Sequence, residues 1–171
     1  MILKCRFFII ILASFCNVMG LVFTSPASAD TATESELAQS TAVDELLLQA
    51  MTLIGVAYKF GGSNPIRGLD CSGFIQYIFK QSLNLSMPRT AAEQARIGVL
   101  VTLKELKPGD LVFFNTRRGR NSHVGLYLGD DKFVHAPRTG KYIEISNIKS
   151  SYWAKRYNSA RRVVKTKNNE S

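Results

Sequence analysis

Apolar positions recur at helical spacing early in the chain and alternate later. Leu46, Leu47, Ala50, Leu53 and Ile54 form one stripe, and that spacing predicts a helix. Thr41-Ala42-Val43-Asp44 reads as its capping start and Gly55 as its stop. The small, polar stretch from Asp30 to Ser40 reads as a flexible lead. Asp70 is a good N-cap for a second helix, from Cys71 to about Gln81, whose run Phe74 to Phe79 is apolar. A third helix follows Met87-Pro88-Arg89: Thr90 caps it, Glu93 completes a capping box, and Gly98 ends it.

Beyond that point the period changes to two. Lys107-Pro108-Gly109-Asp110 is a turn before the strand Leu111-Val112-Phe113-Phe114. After the basic loop Asn115 to Ser122, His123 to Leu128 alternates, Gly129-Asp130-Asp131 turns, and Lys132 to Ala136 returns as a hairpin. Tyr142 to Ile145 predicts a further strand, Tyr152-Trp153-Ala154 an aromatic anchor under a short helical turn, and Ala160 to Val164 a final edge strand. Helices first and antiparallel strands after them predict an α+β fold, with the N-terminal helices packed on the sheet.

The length of 171 residues, 46% of them hydrophobic, suffices for one domain with a real core and an export signal. Lys4 and Arg6, the apolar run Phe7 to Phe23 and Ala27-Ser28-Ala29 make residues 1–29 read as a secretory signal peptide. An uncleaved anchor is the alternative on the same pattern, because the apolar run is long. Phe15 before Cys16 fits a lipid-attachment signal poorly. The domain is therefore expected outside the cytoplasm, periplasmic or secreted, at residues 41–171. Cleavage after Ala29 removes Cys5 and Cys16 and leaves Cys71 as a lone thiol. In an oxidising compartment such a thiol is a liability unless it is used.

Removing residues 1–29 takes away two cations and no acid, leaving +7 of the formal +9. Lys155, Arg156, Arg161, Arg162, Lys165 and Lys167, with Arg117, Arg118 and Arg120, carry part of that excess. A basic surface favours anionic partners. For an exported chain these are wall polymers, lipid head groups or carboxylate-bearing peptides, with peripheral contact to the envelope; nucleic acid is not an expected partner. A merely soluble basic surface explains the tail as well.

The chemistry centres on Leu69-Asp70-Cys71-Ser72-Gly73-Phe74. A cysteine in the first turn of a helix lies among N–H groups that stabilise a thiolate, so it is expected to be nucleophilic near neutral pH. The bland alternative is a buried cysteine packed as a small hydrophobe. The chain holds two histidines, His123 and His135. With a three-residue loop Gly129 to Asp131, His135 stands opposite Gly125, on the face of His123 and one diagonal step away, roughly 7–8 Å. A two- or four-residue loop puts the rings on opposite faces. Gly125 leaves room for the ring, and Val124, Leu126 and Val134 share the other face. In this register Cys71 is the nucleophile, His123 the base and His135 the group that orients it, with the first N–H groups of the second helix facing the oxyanion. His123 either takes the thiol proton or holds the thiolate as an ion pair. The rival use is a zinc site made by one cysteine and two histidines, a weak signal without short ligand spacing.

Tyr58-Lys59-Phe60-Gly61-Gly62, Asp70-Cys71-Ser72-Gly73-Phe74, Pro88-Arg89-Thr90, Pro108 to Phe114, His123 to Gly129 and Val134-His135-Ala136 together resemble the NlpC-type cell-wall peptidases. The resemblance covers about residues 42–164, and the ending Tyr152 to Val163 is especially similar to the Spr-like murein endopeptidases of the Gram-negative periplasm. Those carry a lipid anchor, for which this chain has no convincing cysteine. The resemblance implies a compact papain-like fold and hydrolysis of peptidoglycan stem peptides by a thiol protease; no cofactor is expected, and the protein is expected to be a monomer. It places Cys71, His123 and His135 at the catalytic positions, and Tyr58, Ser72 and Arg89 along the substrate groove. It implies cleavage of the D-alanine–diaminopimelate cross-link first, or of the D-glutamate–diaminopimelate bond within one stem. A wall-peptide-binding or regulatory domain without catalysis is the alternative.

Overall fold

Thr41, expected to cap the first helix, lies in its middle: in the computed structural model, which describes residues 29–117 and 119–164, α1 spans Ala29–Met51. The Thr41 hydroxyl donates back to the Leu37 carbonyl at 3.0 Å, as hydroxyls inside helices do. Residues 30–40 therefore continue the helix instead of forming a loose lead. They contain no glycine or proline, and Ala32, Glu34, Glu36, Leu37, Ala38 and Gln39 favour helix. The expected export signal falls on residues 1–28, outside the described residues, apart from Ala29. Among the described residues no helix is long and apolar enough to cross a membrane.

Two short strands, β1 (Ser63–Asn64) and β2 (Gly68–Leu69), form a small ribbon ahead of α2 (Cys71–Leu83). Asp70 caps α2 as expected, and Asn84, in the left-handed region at φ 50, closes it two residues later than expected. Thr90 and Glu93 form the capping box of α3 (Ala91–Gln94).

The main sheet has six antiparallel strands in the order β3-β8-β4-β5-β6-β7. They are β3 (Val99–Val101), β4 (Leu111–Phe114), β5 (His123–Gly129), β6 (Lys132–His135), β7 (Glu144–Asn147) and β8 (Tyr157–Arg162), with α4 (Ser151–Ala154) between the last two. Two expectations change. The final strand is not an edge, because β3, three residues too short to read from the sequence, covers it. The strand expected at Tyr142 begins at Glu144; Tyr142 itself bridges to Ala57.

Alternation along these strands fills two apolar layers. One face of the sheet sends Leu111, Phe113, Val124, Leu126 and Val134 against Phe74, Ile75, Ile78 and Phe79 of α2 and Leu46 and Ala50 of α1. The other packs Val112, Phe114, Tyr127, Phe133 and Ala160 with Ile148 and Trp153. The hairpin keeps the expected register by a different route. Its turn is the two residues Asp130-Asp131, both left-handed at φ 49 and 59, but a bulge between Tyr127 and Gly129 adds one residue. Tyr127 then pairs with Phe133 and Leu126 with Val134, so His135 falls opposite Gly125. A Cβ on Gly125 would stand 3.2 Å from His135 Cβ and 2.6 Å from Phe133 Cδ2, so only glycine fits beneath these rings.

Candidate active site

The start of α2 is held by one carboxylate. Asp70 Oδ1 accepts from the Gly73 N–H at 2.7 Å and the Ser72 hydroxyl at 3.2 Å, and Oδ2 accepts from the Gly61 N–H at 3.0 Å. Arg89 grips it bidentately, with Nη1 donating to Oδ1 at 3.0 Å and Nη2 to Oδ2 at 2.6 Å, while Nη1 also reaches Ser72 Oγ at 2.9 Å. These donors hold the Asp70 carboxyl below its usual range against the opposing effect of burial, the largest single influence on it. Gly73 is glycine because a Cβ there would overlap the carbonyl oxygen of Gly62.

This network aims Cys71 at the beginning of β5. The thiol is half-buried, and the backbone N–H groups of Val124 and Ser72 face its sulfur. Val124 follows His123, so one peptide group separates the thiol's hydrogen-bonding neighbour from the imidazole. His123 Nε2 lies 2.9 Å from His135 Nδ1, and His135 Nε2 lies 3.1 Å from Ser146 Oγ. The rings meet edge to face, with Trp153 stacked on His123 at 5.4 Å and Phe133 on His135 at 4.7 Å. Both histidines are fully buried.

Burial sets the charge states. It pushes His123 down to about 3, with the Arg117 charge adding to the effect, and holds His135 well below its ordinary value. Both rings are neutral. Burial, followed by the Asp70 carboxylate, pushes the Cys71 thiol up, against the pull of the Val124 and Ser72 N–H groups and of Arg117. Burial thus works against the thiolate that the helix end is expected to favour, and the direction for both groups is toward the neutral form.

Tyr58, Asp70, Cys71, Ser72, Arg89 and Arg117 line a common cleft of about 380 Å³. The three residues expected along the substrate groove are therefore brought beside the thiol, but two are already engaged: Arg89 and Ser72 are bound to Asp70. Arg117 is an exposed cation of the cleft, donating from Nη2 to the Tyr58 hydroxyl at 3.1 Å and lying 5.4 Å over the Phe60 ring. Ser146, Trp153 and the Arg117–Tyr58 contact were not singled out as site features from the sequence. The alternation of β7 places Ser146 on the face of His135, yet its register depends on the course of residues 136–143. Among the described residues no three His, Cys, Asp or Glu side chains converge as a metal site needs.

Murein DD-endopeptidase MepH of Escherichia coli (strain K12) is 45% identical over 120 residues, 68% of this chain and 44% of MepH. Gamma-DL-glutamyl hydrolase of Bacillus subtilis (strain 168) is 41% identical over 124 residues, 72% of this chain and 30% of that protein. The chain thus spans less than half the length of either relative. A crystal structure of an NlpC/P60 family protein from Bacillus cereus superposes with a TM-score of 0.67 at 33% identity, over 72% of this chain and 40% of that one. Residues 55–162, which run from the end of α1 through β8 and hold every residue of the cleft, match the NlpC/P60 family, and the chain belongs to that family.

Proposed function

We propose that this protein is a peptidoglycan endopeptidase that hydrolyses stem-peptide amide bonds by a Cys-His-His thiol mechanism. The observation that carries the reading is the chain of contacts from Ser146 through His135 to His123, next to Val124, whose N–H faces the sulfur of a cysteine at a helix start. Cys71 Sγ attacks the scissile carbonyl carbon while its proton passes to His123 Nδ1. For Nδ1 to be the free base, the Nε2–H of His123 donates to His135 Nδ1 and the Nε2–H of His135 donates to Ser146 Oγ. The Gly73 N–H is taken by Asp70 Oδ1 and the Phe74 N–H by the Asp70 carbonyl, so the Cys71 and Ser72 N–H groups face the oxyanion. Collapse of the tetrahedral species breaks the C–N bond, and His123 protonates the leaving amine. Water, deprotonated by His123, then opens the thioester and restores the thiol.

The D-alanine–diaminopimelate cross-link is the favoured bond, supported by the identity with a protein named murein DD-endopeptidase. The D-glutamate–diaminopimelate bond is the next choice, supported by the gamma-DL-glutamyl hydrolase. Such a substrate requires export, to the periplasm or beyond. The enzyme acts as a monomer whose basic surface lies against the envelope. Digestion of purified peptidoglycan followed by mass spectrometry of the products tests the reading. Release of single stems from cross-linked dimers by the wild type, and none by Cys71→Ala, is the expected result. A thiol alkylator abolishes the activity and a chelator leaves it intact. Turnover by a folded Cys71→Ala protein, or loss to a chelator with recovery on adding zinc, overturns the mechanism; binding without turnover by the wild type makes the domain a wall-peptide receptor.

A further inference from the structure

Arg117 is a partition as well as a cleft residue. On its far side lies a second cavity of about 460 Å³, lined by Thr116, Arg117, Pro137, Arg138, Lys141, Glu144, Tyr152 and Trp153. Three of these are cations and one is an acid. Among the described residues none of Arg117, Arg138 and Lys141 takes part in a salt bridge. The loop carrying Arg138 and Lys141 is pinned. The Lys141 carbonyl accepts from the Tyr58 N–H at 2.8 Å, the Lys141 N–H donates to the Arg138 carbonyl at 3.1 Å, and the Ile143 N–H donates to Val56 at 2.8 Å. The backbone that carries these two cations is therefore held beside a lining shared with Arg117, Tyr152 and Trp153.

The chemistry decides what enters this lobe. The acyl half of the substrate is attached to Cys71 and so occupies the lobe lined by Cys71, Tyr58 and Ser72. The leaving amine must depart past His123, which protonates it, and the ring stacked on His123 is Trp153, a wall of the second lobe. In the cross-link favoured above, the departing nitrogen sits on a carbon of diaminopimelate that itself bears a free carboxylate.

Resting on that functional reading, we infer that the lobe between Arg117, Arg138, Lys141 and Trp153 is the subsite for the amine-side stem of a cross-linked substrate, and that it recognises the carboxylates of that stem. The site is thus built to hold two stems, one on each side of Arg117, and not a single peptide ending at the scissile bond.

The test separates binding from catalysis. The full chain carrying Cys71→Ala is titrated by calorimetry with a cross-linked peptide dimer in two forms, one with free carboxylates and one with the amine-side carboxyls converted to carboxamides. The acid form is expected to bind about tenfold more tightly. Adding Arg138→Gln and Lys141→Gln, both at exposed positions that leave the core untouched, removes that preference without changing the binding of the carboxamide form, and Arg138→Lys with Lys141 kept restores most of it. Equal binding of the two forms, no measurable binding of the acid form, or an undiminished preference in the Gln variants overturns the subsite. Hydrolysis is measured separately on the wild type: a protein that binds the acid dimer with the expected preference but cuts a different bond, or none, refutes the bond assignment and leaves the subsite standing.

Discussion

His123 and His135 stand twelve residues apart in sequence and 2.9 Å apart in space, Nε2 against Nδ1, with only the second ring in contact with Ser146. The pair is therefore directional: His135 spends both nitrogens on its neighbours, and in the proposed mechanism His123 keeps its Nδ1 for the thiol.

That direction predicts unequal variants. His123→Gln lowers kcat by at least about 10²-fold, because an amide does not exchange protons near neutral pH. His135→Asn keeps measurable turnover, since a neutral acceptor still orients His123, and Ser146→Ala loses less than either. Steady-state kinetics on folded proteins decide the matter; a His135→Asn protein as inactive as His123→Gln gives His135 a direct chemical role.

The hairpin bulge predicts a parity effect. Deleting Leu128 removes the extra, unpaired residue and keeps the two-residue turn, which turns Lys132 to His135 onto the opposite face relative to His123 if the pairing is kept. Such a protein loses the His123–His135 contact and its activity. Inserting one residue beside Asp131 does the same, whereas inserting two is far milder. Comparable activity in all three variants contradicts the register argument.

Acid should unfold this protein early. In the unfolded chain both histidines take up protons near their ordinary value of 6.5, while in the folded chain His123 resists protonation down to about 3 and His135 is likewise depressed. The unfolded state binds more protons throughout that interval, so stability rises with pH across it and levels off above about 6.5. Each neutral histidine contributes a slope of up to about 1.4 kcal/mol per pH unit. Urea midpoints between pH 5 and 7 measure this, and replacing His135 by Asn flattens the slope; a flat wild-type profile is the contrary result.

Thiol reactivity should follow the carboxylate beside it. Alkylation of Cys71 is expected to accelerate with pH up to and beyond the ordinary thiol value of 9.0, because burial and Asp70 oppose the thiolate. Arg89→Ala leaves the Asp70 charge less compensated and slows alkylation further at neutral pH. Its cost in stability is about 1 kcal/mol, discounted for the exposure of Arg89. A faster-reacting Arg89→Ala protein contradicts this electrostatic account.

Gly73→Ala tests the backbone approach at the helix start. Alanine is the better helix former by about 1 kcal/mol, yet the clash with the Gly62 carbonyl makes the variant less stable by about 1–3 kcal/mol. Thermal unfolding reads the sign directly, and a stabilised variant refutes the close contact.

What was legible in the sequence was local. The caps at Asp70 and Thr90, the α+β order and the face shared by the two histidines follow from rules that span a few residues or one turn. The hairpin register came out correctly although the turn differs, since a bulge and an added loop residue have the same effect on parity. Pairing across the chain was not legible: β3 is three residues long, and nothing near Ala160 signals that it would cover β8. Nor was the thiol's charge state, because the burial that opposes the helix end is a property of the packed site. The start of α1 is not legible either, because a small, polar composition looks loose even where no glycine or proline breaks the helix.

Five donors from three segments meet on the Asp70 carboxylate: the Gly61 loop, the first turn of α2, and Arg89 nineteen residues downstream. A partly folded chain, in which Arg89 has not docked, has an ordinary cysteine with no aimed helix start and no imidazole beside it. The protein thus carries its own latency. Under the proposed mechanism, a thiol in a chain still held unfolded is no more reactive than a free cysteine, since its surroundings come into being only when the last of these segments arrives.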